Sequence, residues 1–93
     1  MLFCIIGTDK KDTLDKRLAN RDAHLKHWGE SGAVKLGGPF TSDDGEIMNG
    51  SMLVIDVEDR AAAQKLVDGD PYKVNGVFES VEVRAWKWLL KDQ

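Results

Sequence analysis

Four side chains that could carry chemistry lie in one segment of the sequence: Arg17, Arg21, His24 and Trp28. On a helix, at about 100° per residue, they follow one edge of an apolar stripe that borders the core. A histidine in such a cleft wall can titrate near neutral pH and move protons, and two guanidinium groups can bind a carboxylate or a phenolate. The alternative is a solvated helix edge, on which the arginine stems pack over apolar neighbours.

Asp70 is the second residue that the sequence suggests for proton chemistry. It precedes Pro71, which disfavours helical backbone at position 70 and favours an extended aspartate at the start of a turn. A carboxylate so placed can orient a histidine ring and stabilise its charged form. The alternative is an Asp-Pro turn with no further role. His24 and Asp70 are therefore a candidate acid–base pair.

Other reactive residue types have simpler structural interpretations. His27 lies nearly opposite the apolar stripe and is predicted to be a surface residue. With His24 it forms an i, i+3 pair, but no cysteine or acidic partner follows at recognisable spacing, so we predict no metal site. Cys4, the single cysteine, is expected to be an inert apolar residue of a core strand. The glycines of Gly37-Gly38-Pro39 and Gly50-Ser51 could bring backbone N–H groups to a ligand, although ordinary turns explain them equally well.

Apolar periodicity and turn residues divide the chain into elements in the order β-α-β-β-α-β. Predicted strands cover Leu2–Ile6, Ala33–Leu36, Ser51–Val57 and Val77–Leu89, and predicted helices cover Thr13–Ser31 and Asp59–Asp68. The apolar stripe of the long helix consists of Leu14, Leu18, Leu25 and Trp28. Asp12 is expected to cap the start of this helix and Gly32 its end. The segment Phe40–Gly50 is predicted to be a hairpin or a loop.

This order is the split βαβ arrangement of an α+β, ferredoxin-like domain, with a four-stranded antiparallel sheet and both helices on one face. The first and third strands, however, are apolar on both faces, and Trp86 and Trp88 lie on the uncovered side of the last strand. Such a patch is seldom bare on a monomer. We predict a sheet-to-sheet homodimer. The alternative is that the C-terminal tail, Leu89–Gln93, folds back over the patch.

Length and composition exclude several classes of protein. The chain has 93 residues, of which 42% are hydrophobic and 31% charged, as expected for one globular domain over residues 1–93. A net charge of −3 without a basic run disfavours nucleic-acid binding. The apolar N-terminus is too short to span a membrane and has no basic lead-in, so a cytoplasmic protein without membrane contact is expected. Phosphate-binding loops, nucleophile elbows and dinucleotide fingerprints do not occur, and we expect no cofactor.

Several short motifs follow one another over nearly the whole chain: Arg21-Asp22-Ala23-His24-Leu25, Gly38-Pro39, Gly50-Ser51, Asp70-Pro71-Tyr72 after an alanine-rich helix, and Gly76-Val77-Phe78. In this combination they resemble the YciI-like (YCII-related) family. The resemblance implies a dimeric α+β barrel of ferredoxin-like subunits, with a pocket whose histidine and aspartate correspond to His24 and Asp70. One branch of the family resembles enzymes that remove chloride from chlorinated hydroxyhydroquinones. The C-terminal Arg84-Ala85-Trp86-Lys87-Trp88 departs from the family pattern, because it has two tryptophans and no closing proline.

Two functions are consistent with these observations. The first is a small cofactor-independent lyase or isomerase for a cyclic or aromatic acid, in which His24 moves a proton and Asp70 orients the histidine. The residues expected to contact substrate are Arg17, Arg21, Gly38, Pro39, Ser51 and Tyr72. The second is a non-catalytic dimer that uses the same pocket to bind a small ligand or to regulate a partner. The fold alone does not separate them.

Overall fold

A computed structural model of the chain describes residues 1–91. In chain order, the elements within these residues are β1 (Leu2–Asp9), α1 (Leu14–Ala19), α2 (Arg21–Ser31), β2 (Val34–Thr41), β3 (Met48–Asp56), α3 (Arg60–Asp68), α4 (Pro71–Val74) and β4 (Phe78–Trp86). The strands form one antiparallel sheet in the order β2-β3-β1-β4. This is the α+β, ferredoxin-like fold that the element order predicts.

The core lies between one face of the sheet and the helices. Phe3 and Ile5 of β1 alternate with half-buried neighbours and point into this core, because successive side chains of a strand face opposite sides. Trp28 from α2 and Val67 from α3 pack against them. The central pair of strands, β1 and β3, therefore supplies most of the apolar surface on which the helices rest.

The opposite face of the sheet carries a second set of apolar side chains. Leu2, Cys4 and Ile6 of β1 are half-buried there, and Trp86 is 40% exposed. Cys4 lies in the central strand β1, as predicted, and is half-buried on this second face. Burial nevertheless raises the pKa of the Cys4 thiol and outweighs the opposing effect of Arg84.

The long helix predicted over residues 13–31 is in fact two helices that meet at Asn20. Asn20 ends α1 and precedes α2, and its side chain donates to the Lys16 carbonyl while accepting from Asn75. Asparagine competes in this way for backbone hydrogen bonds and interrupts helices. Asp12 does not cap the helix, because it has a positive φ of 60° and Thr13 occupies the N-cap position. Among residues 1–91, every helix falls short of the length and apolarity that spanning a bilayer requires.

The strands also differ in length from the prediction. β2 continues through Gly37, Gly38 and Pro39 to Thr41, so the connection to β3 is a short hairpin over residues 42–47. Pro39 is tolerated because β2 is an edge strand of the sheet. β4 ends at Trp86, three residues before its predicted end. The helix predicted over Asp59–Asp68 is confirmed, and the Asp59 carboxylate accepts the N–H of Ala62 as its cap.

The predicted apolar stripe of the first helical segment is largely wrong. Leu18 and Leu25 are each 49% exposed, whereas Arg17 and His24 are 2% and 7% exposed. Only Trp28 of the stripe is fully buried. The helices turn Arg17, His24 and Trp28 inward because each of these side chains finds a hydrogen-bond partner there, as described next.

Candidate active site

Asp70 connects the helices at the centre of the candidate site. It adopts the extended backbone expected before proline and serves as the N-cap of α4, accepting the N–H of Tyr72 at 2.9 Å through Oδ1. The same oxygen lies 2.8 Å from Nδ1 of His24, and Oδ2 accepts the Trp28 indole N–H at 3.0 Å. Since Asp70 is only 3% exposed, these groups replace the water that a carboxylate normally binds.

The environment keeps Asp70 ionised. Burial alone raises its pKa and is the largest single effect. The hydrogen bonds from His24, Trp28 and the Tyr72 N–H, together with the charge of His24, outweigh burial, so that the pKa lies below its ordinary value of 3.8. At neutral pH the site therefore holds a buried carboxylate that accepts every hydrogen bond it makes.

The lowered pKa of Asp70 predicts a loss of stability in acid. The carboxylate of Asp70 binds a proton more weakly in the folded state than in the unfolded chain. The ionised Asp70 therefore contributes fully to stability above about pH 4–5, and this stabilisation is lost as the pH falls through the pKa of Asp70 in the folded state. Asp70→Asn should therefore show a smaller difference in unfolding free energy between pH 6 and pH 3 than the wild type. Urea unfolding at pH 6 and at pH 3 measures this difference in unfolding free energy for each protein. Asp22→Asn, at an exposed position of α2, is the control and should retain the wild-type difference.

His24 is held in one tautomer and one orientation. Since Asp70 is a carboxylate, the 2.8 Å contact is a hydrogen bond that Nδ1–H donates, so the neutral ring carries its lone pair on Nε2. Nε2 has no hydrogen-bond partner within residues 1–91. The ring stacks on Tyr72 with 3.9 Å between centroids and 12° between planes. A histidine fixed in this way can accept a proton at Nε2 and return it.

Arg17, which was predicted to contact substrate, is buried and bonded within the fold. Its guanidinium group forms a two-point ion pair with Asp9, at 2.7 and 3.0 Å, and donates to the Ser51 hydroxyl at 2.9 Å. It also lies over the Tyr72 ring, 4.5 Å from the centroid. Both partners of the ion pair are nearly inaccessible to water, with side-chain exposures of 3% and 6%. Arg17 thus ties α1 to β1 and β3 beneath the site, while Arg21 remains exposed.

A cavity of about 290 Å³ opens beside these residues. Its walls come from α1, α2, α4, β2 and β3, and include Arg17, Arg21, His24, Gly38, Pro39, Ser51 and Tyr72. The structure thus gathers around one cavity all the predicted site residues except Asp70, which lies behind His24. Apolar walls are supplied by Leu25, Trp28, Val34, Met48 and Leu53. Among residues 1–91, no carboxylate lines the cavity, so the polar part of the cavity favours a ligand with acceptor oxygens or negative charge.

Two residues have roles that the sequence analysis did not assign. Asp9 was not singled out, since one aspartate at a strand end carries no signal until its buried arginine partner is known. His27 was predicted to be a surface residue, and that is wrong: it is half-buried, and Nε2 contacts the Leu66 carbonyl at 2.7 Å. The two histidines therefore face different partners. Within residues 1–91, no group of three His, Cys, Asp or Glu side chains is arranged to hold a metal ion.

Comparison with known proteins gives consistent matches over nearly the whole chain. The sequence matches the YCII-related domain over residues 1–87. Protein YciI of Escherichia coli O6:H1 is 37% identical over 95 aligned residues, covering 94% of this chain and 97% of that protein. An uncharacterized protein of Haemophilus influenzae is 32% identical with the same coverage.

Among solved structures, a 5-chloro-2-hydroxyhydroquinone dehydrochlorinase from Burkholderia phenoliruptrix, in complex with 2,5-dihydroxybenzoquinone, has a similar fold. It superposes with a TM-score of 0.85 and 32% identity, covering 94% of each chain. The likeness thus extends through the elements that surround the cavity. From the sequence match and these relatives, the chain belongs to the YCII-related domain family.

Proposed function

We propose that this protein is a small enzyme that transfers protons on a hydroxylated aromatic or quinone-like ring, with His24 as the acid–base group. The single observation that carries the proposal is the His24–Asp70 pair at 2.8 Å, with the free nitrogen of its histidine beside a cavity that offers hydrogen-bond donors. The similar dehydrochlorinase acts on such a ring, and its structure holds 2,5-dihydroxybenzoquinone, which supports this substrate class.

In the proposed step, the ring reacts as its diketo tautomer, in which a saturated carbon lies beside a carbonyl group and the leaving anion is on the next saturated carbon. Nε2 of His24 accepts a proton from the carbon beside the carbonyl group, and the electron pair of the broken C–H bond moves toward the carbonyl oxygen to give an enolate. In an elimination, that pair forms a new double bond and an anion such as chloride leaves with the electrons of its own bond. In an isomerisation, the imidazolium returns the proton to another position. Asp70 stays ionised and stabilises the imidazolium, which makes it a positioning residue. The step needs no group beyond the chain and its substrate.

Size and charge of the cavity support a small anionic substrate. A volume of about 290 Å³ is at the low end of ligand pockets and suits a single substituted ring. Arg21 is exposed at the cavity and makes no ion pair within residues 1–91, so it is the guanidinium group available to a phenolate or carboxylate. Arg17 is instead engaged by Asp9.

The proposal is tested with the purified protein and two compounds. Isothermal titration calorimetry measures binding of 2,5-dihydroxybenzoquinone, and a chloride electrode follows turnover of 5-chloro-2-hydroxyhydroquinone against a buffer blank. We expect binding with one site per chain and chloride release above the blank. Binding without release of chloride would reject this enzyme activity and favour a ligand-binding protein. The absence of both would contradict the substrate class.

We further propose that the uncovered face of the sheet packs against the same face of a second copy. Half-buried Leu2, Cys4 and Ile6 lie beside a Trp86 that is 40% exposed, and a chain of this length has a thin core. The alternative cover is the C-terminal tail over residues 89–93, of which residues 92–93 lie outside the described part of the chain. Within the described part, Leu89 and Leu90 are 82% and 92% exposed, which favours the second copy as the cover.

Sedimentation equilibrium tests this arrangement. We expect twice the mass of one chain for the wild type, and a shift to one chain for Trp86→Glu, which puts a charge on the proposed interface. Glu79→Lys changes an exposed position of the same strand and should leave the mass unchanged. A wild-type protein with the mass of a single chain would refute the dimer.

A further inference from the structure

Tyr72, the single tyrosine of the chain, is held more tightly than a residue that only lines a cavity. It is 2% exposed, its N–H is fixed by Asp70, and its ring contacts His24 and the Arg17 guanidinium group. Phe78 packs edge-on against the same ring at 5.7 Å. These contacts fix the ring plane, and with it the direction of the phenol hydroxyl.

The hydroxyl of Tyr72 has no hydrogen-bond partner within residues 1–91. In the same part of the chain, every buried side-chain nitrogen or oxygen that is sealed from solvent has a partner. An unpartnered hydroxyl must therefore remain accessible, and the space that Tyr72 borders is the candidate cavity. A polar group that is left open on an otherwise buried and fully constrained side chain is the feature expected of a ligand contact.

The environment also keeps this hydroxyl protonated. Burial raises the pKa of Tyr72 and outweighs the opposing charges of Arg17 and Arg21. At neutral pH the group is therefore a hydrogen-bond donor and not a phenolate.

We propose that the Tyr72 hydroxyl donates a hydrogen bond to an anionic oxygen of the ring substrate, a phenolate or an enolate. This inference rests on the proposed function and adds Tyr72 to His24 and Arg21 as a third group that touches the substrate. When Nε2 of His24 takes the ring proton, the electron pair moves toward this oxygen, and the hydrogen bond to Tyr72 strengthens as its charge grows. Tyr72 keeps its own proton throughout, so it stabilises charge and His24 alone moves a proton.

Tyr72→Phe tests the proposal directly, because it removes one oxygen and retains the ring that stacks on His24. We expect kcat for 5-chloro-2-hydroxyhydroquinone to fall by about 10²–10³-fold, as when one donor is removed from an oxyanion site. Binding of 2,5-dihydroxybenzoquinone should weaken by about tenfold or more, as expected when a hydrogen bond to a charged group is lost.

A second measurement does not depend on the variant folding. Incorporation of 3-fluorotyrosine labels position 72 alone, since the chain has one tyrosine. The ¹⁹F signal should titrate at higher pH when 2,5-dihydroxybenzoquinone is bound, because an anion beside the hydroxyl opposes its ionisation. If the wild type binds the quinone while Tyr72→Phe binds equally and the ¹⁹F titration is unmoved, the role of Tyr72 is refuted and the proposed function stands. If the wild type binds no quinone and releases no chloride, both the proposed function and the proposed role of Tyr72 are refuted.

Discussion

Replacing Arg17 with methionine should lower the free energy of unfolding by about 3–5 kcal/mol, the loss expected when one partner of a buried ion pair is removed. The guanidinium group satisfies both oxygens of Asp9, and methionine would leave that carboxylate buried without a counter-ion. The Ser51 hydroxyl and the Tyr72 ring would lose their contacts with Arg17 as well. Urea unfolding followed by tryptophan fluorescence measures the change.

Two further variants separate this explanation from a general sensitivity of the helical segment to loss of an arginine. Arg21→Met alters an exposed arginine at the start of α2 and should cost less than about 0.5 kcal/mol of unfolding free energy. The double variant Asp9→Leu with Arg17→Met removes both charges, and it should recover much of the stability, since an apolar pair of similar volume often replaces a buried ion pair without loss. A cost for Arg17→Met below about 1 kcal/mol, as for an exposed ion pair, would contradict the buried arrangement.

His24→Asn should reduce turnover of the ring substrate by about 10²–10⁴-fold, the usual contribution of a positioned acid–base group. The asparagine amide nitrogen can stand near the position of Nδ1 and donate to Asp70, so the variant removes chiefly Nε2 and the stacking surface for Tyr72. Initial rates of chloride release at saturating 5-chloro-2-hydroxyhydroquinone measure the effect. We expect KM to change less than kcat, because the proton is transferred in the transition state.

The chain offers a matched control in the same helix. His27 is half-buried, contacts the Leu66 carbonyl and does not line the cavity, so His27→Asn should leave turnover unchanged even if stability falls. Equal rates for wild type and His24→Asn would remove His24 from the mechanism. A large loss in His27→Asn with normal folding would show that the cavity is not the site of the reaction.

The order of elements and the strand faces could be predicted because they depend on local patterns. The continuous apolar run of β1 and the turn residues before β3 are visible in the sequence, and the sheet and its two-sided apolar strands follow from them. The break at Asn20 was missed because asparagine is only mildly unfavourable in helices, and its partner in the structure is Asn75. The prediction that the leucines of the stripe are buried is also wrong, and the cause again lies in contacts between distant residues.

The predicted leucine stripe is wrong because hydrophobicity is not the only reason to bury a side chain. Leu25 is exposed while Arg17 is buried, since Asp9 and Ser51 satisfy the guanidinium group from two strands. Such compensation depends on contacts between distant positions, which one sequence does not reveal. For His24 and Asp70, helical spacing and the Asp-Pro turn predict the local backbone of each residue. Their pairing, across 46 positions of the sequence, was predicted from the resemblance to the YCII-related family.

The structural role of Asp70 affects how activity can be inferred for related proteins. Its carboxylate caps α4 and binds two side chains of α2, so a descendant that had lost its chemistry would still need the aspartate to fold. Retention of Asp70 is therefore a poor marker of an active enzyme. Nε2 of His24 and the hydroxyl of Tyr72 make no hydrogen bond within residues 1–91, so the fold does not require them. Under the proposed mechanism, a relative with phenylalanine in place of Tyr72 or asparagine in place of His24 should keep the fold and lack the activity.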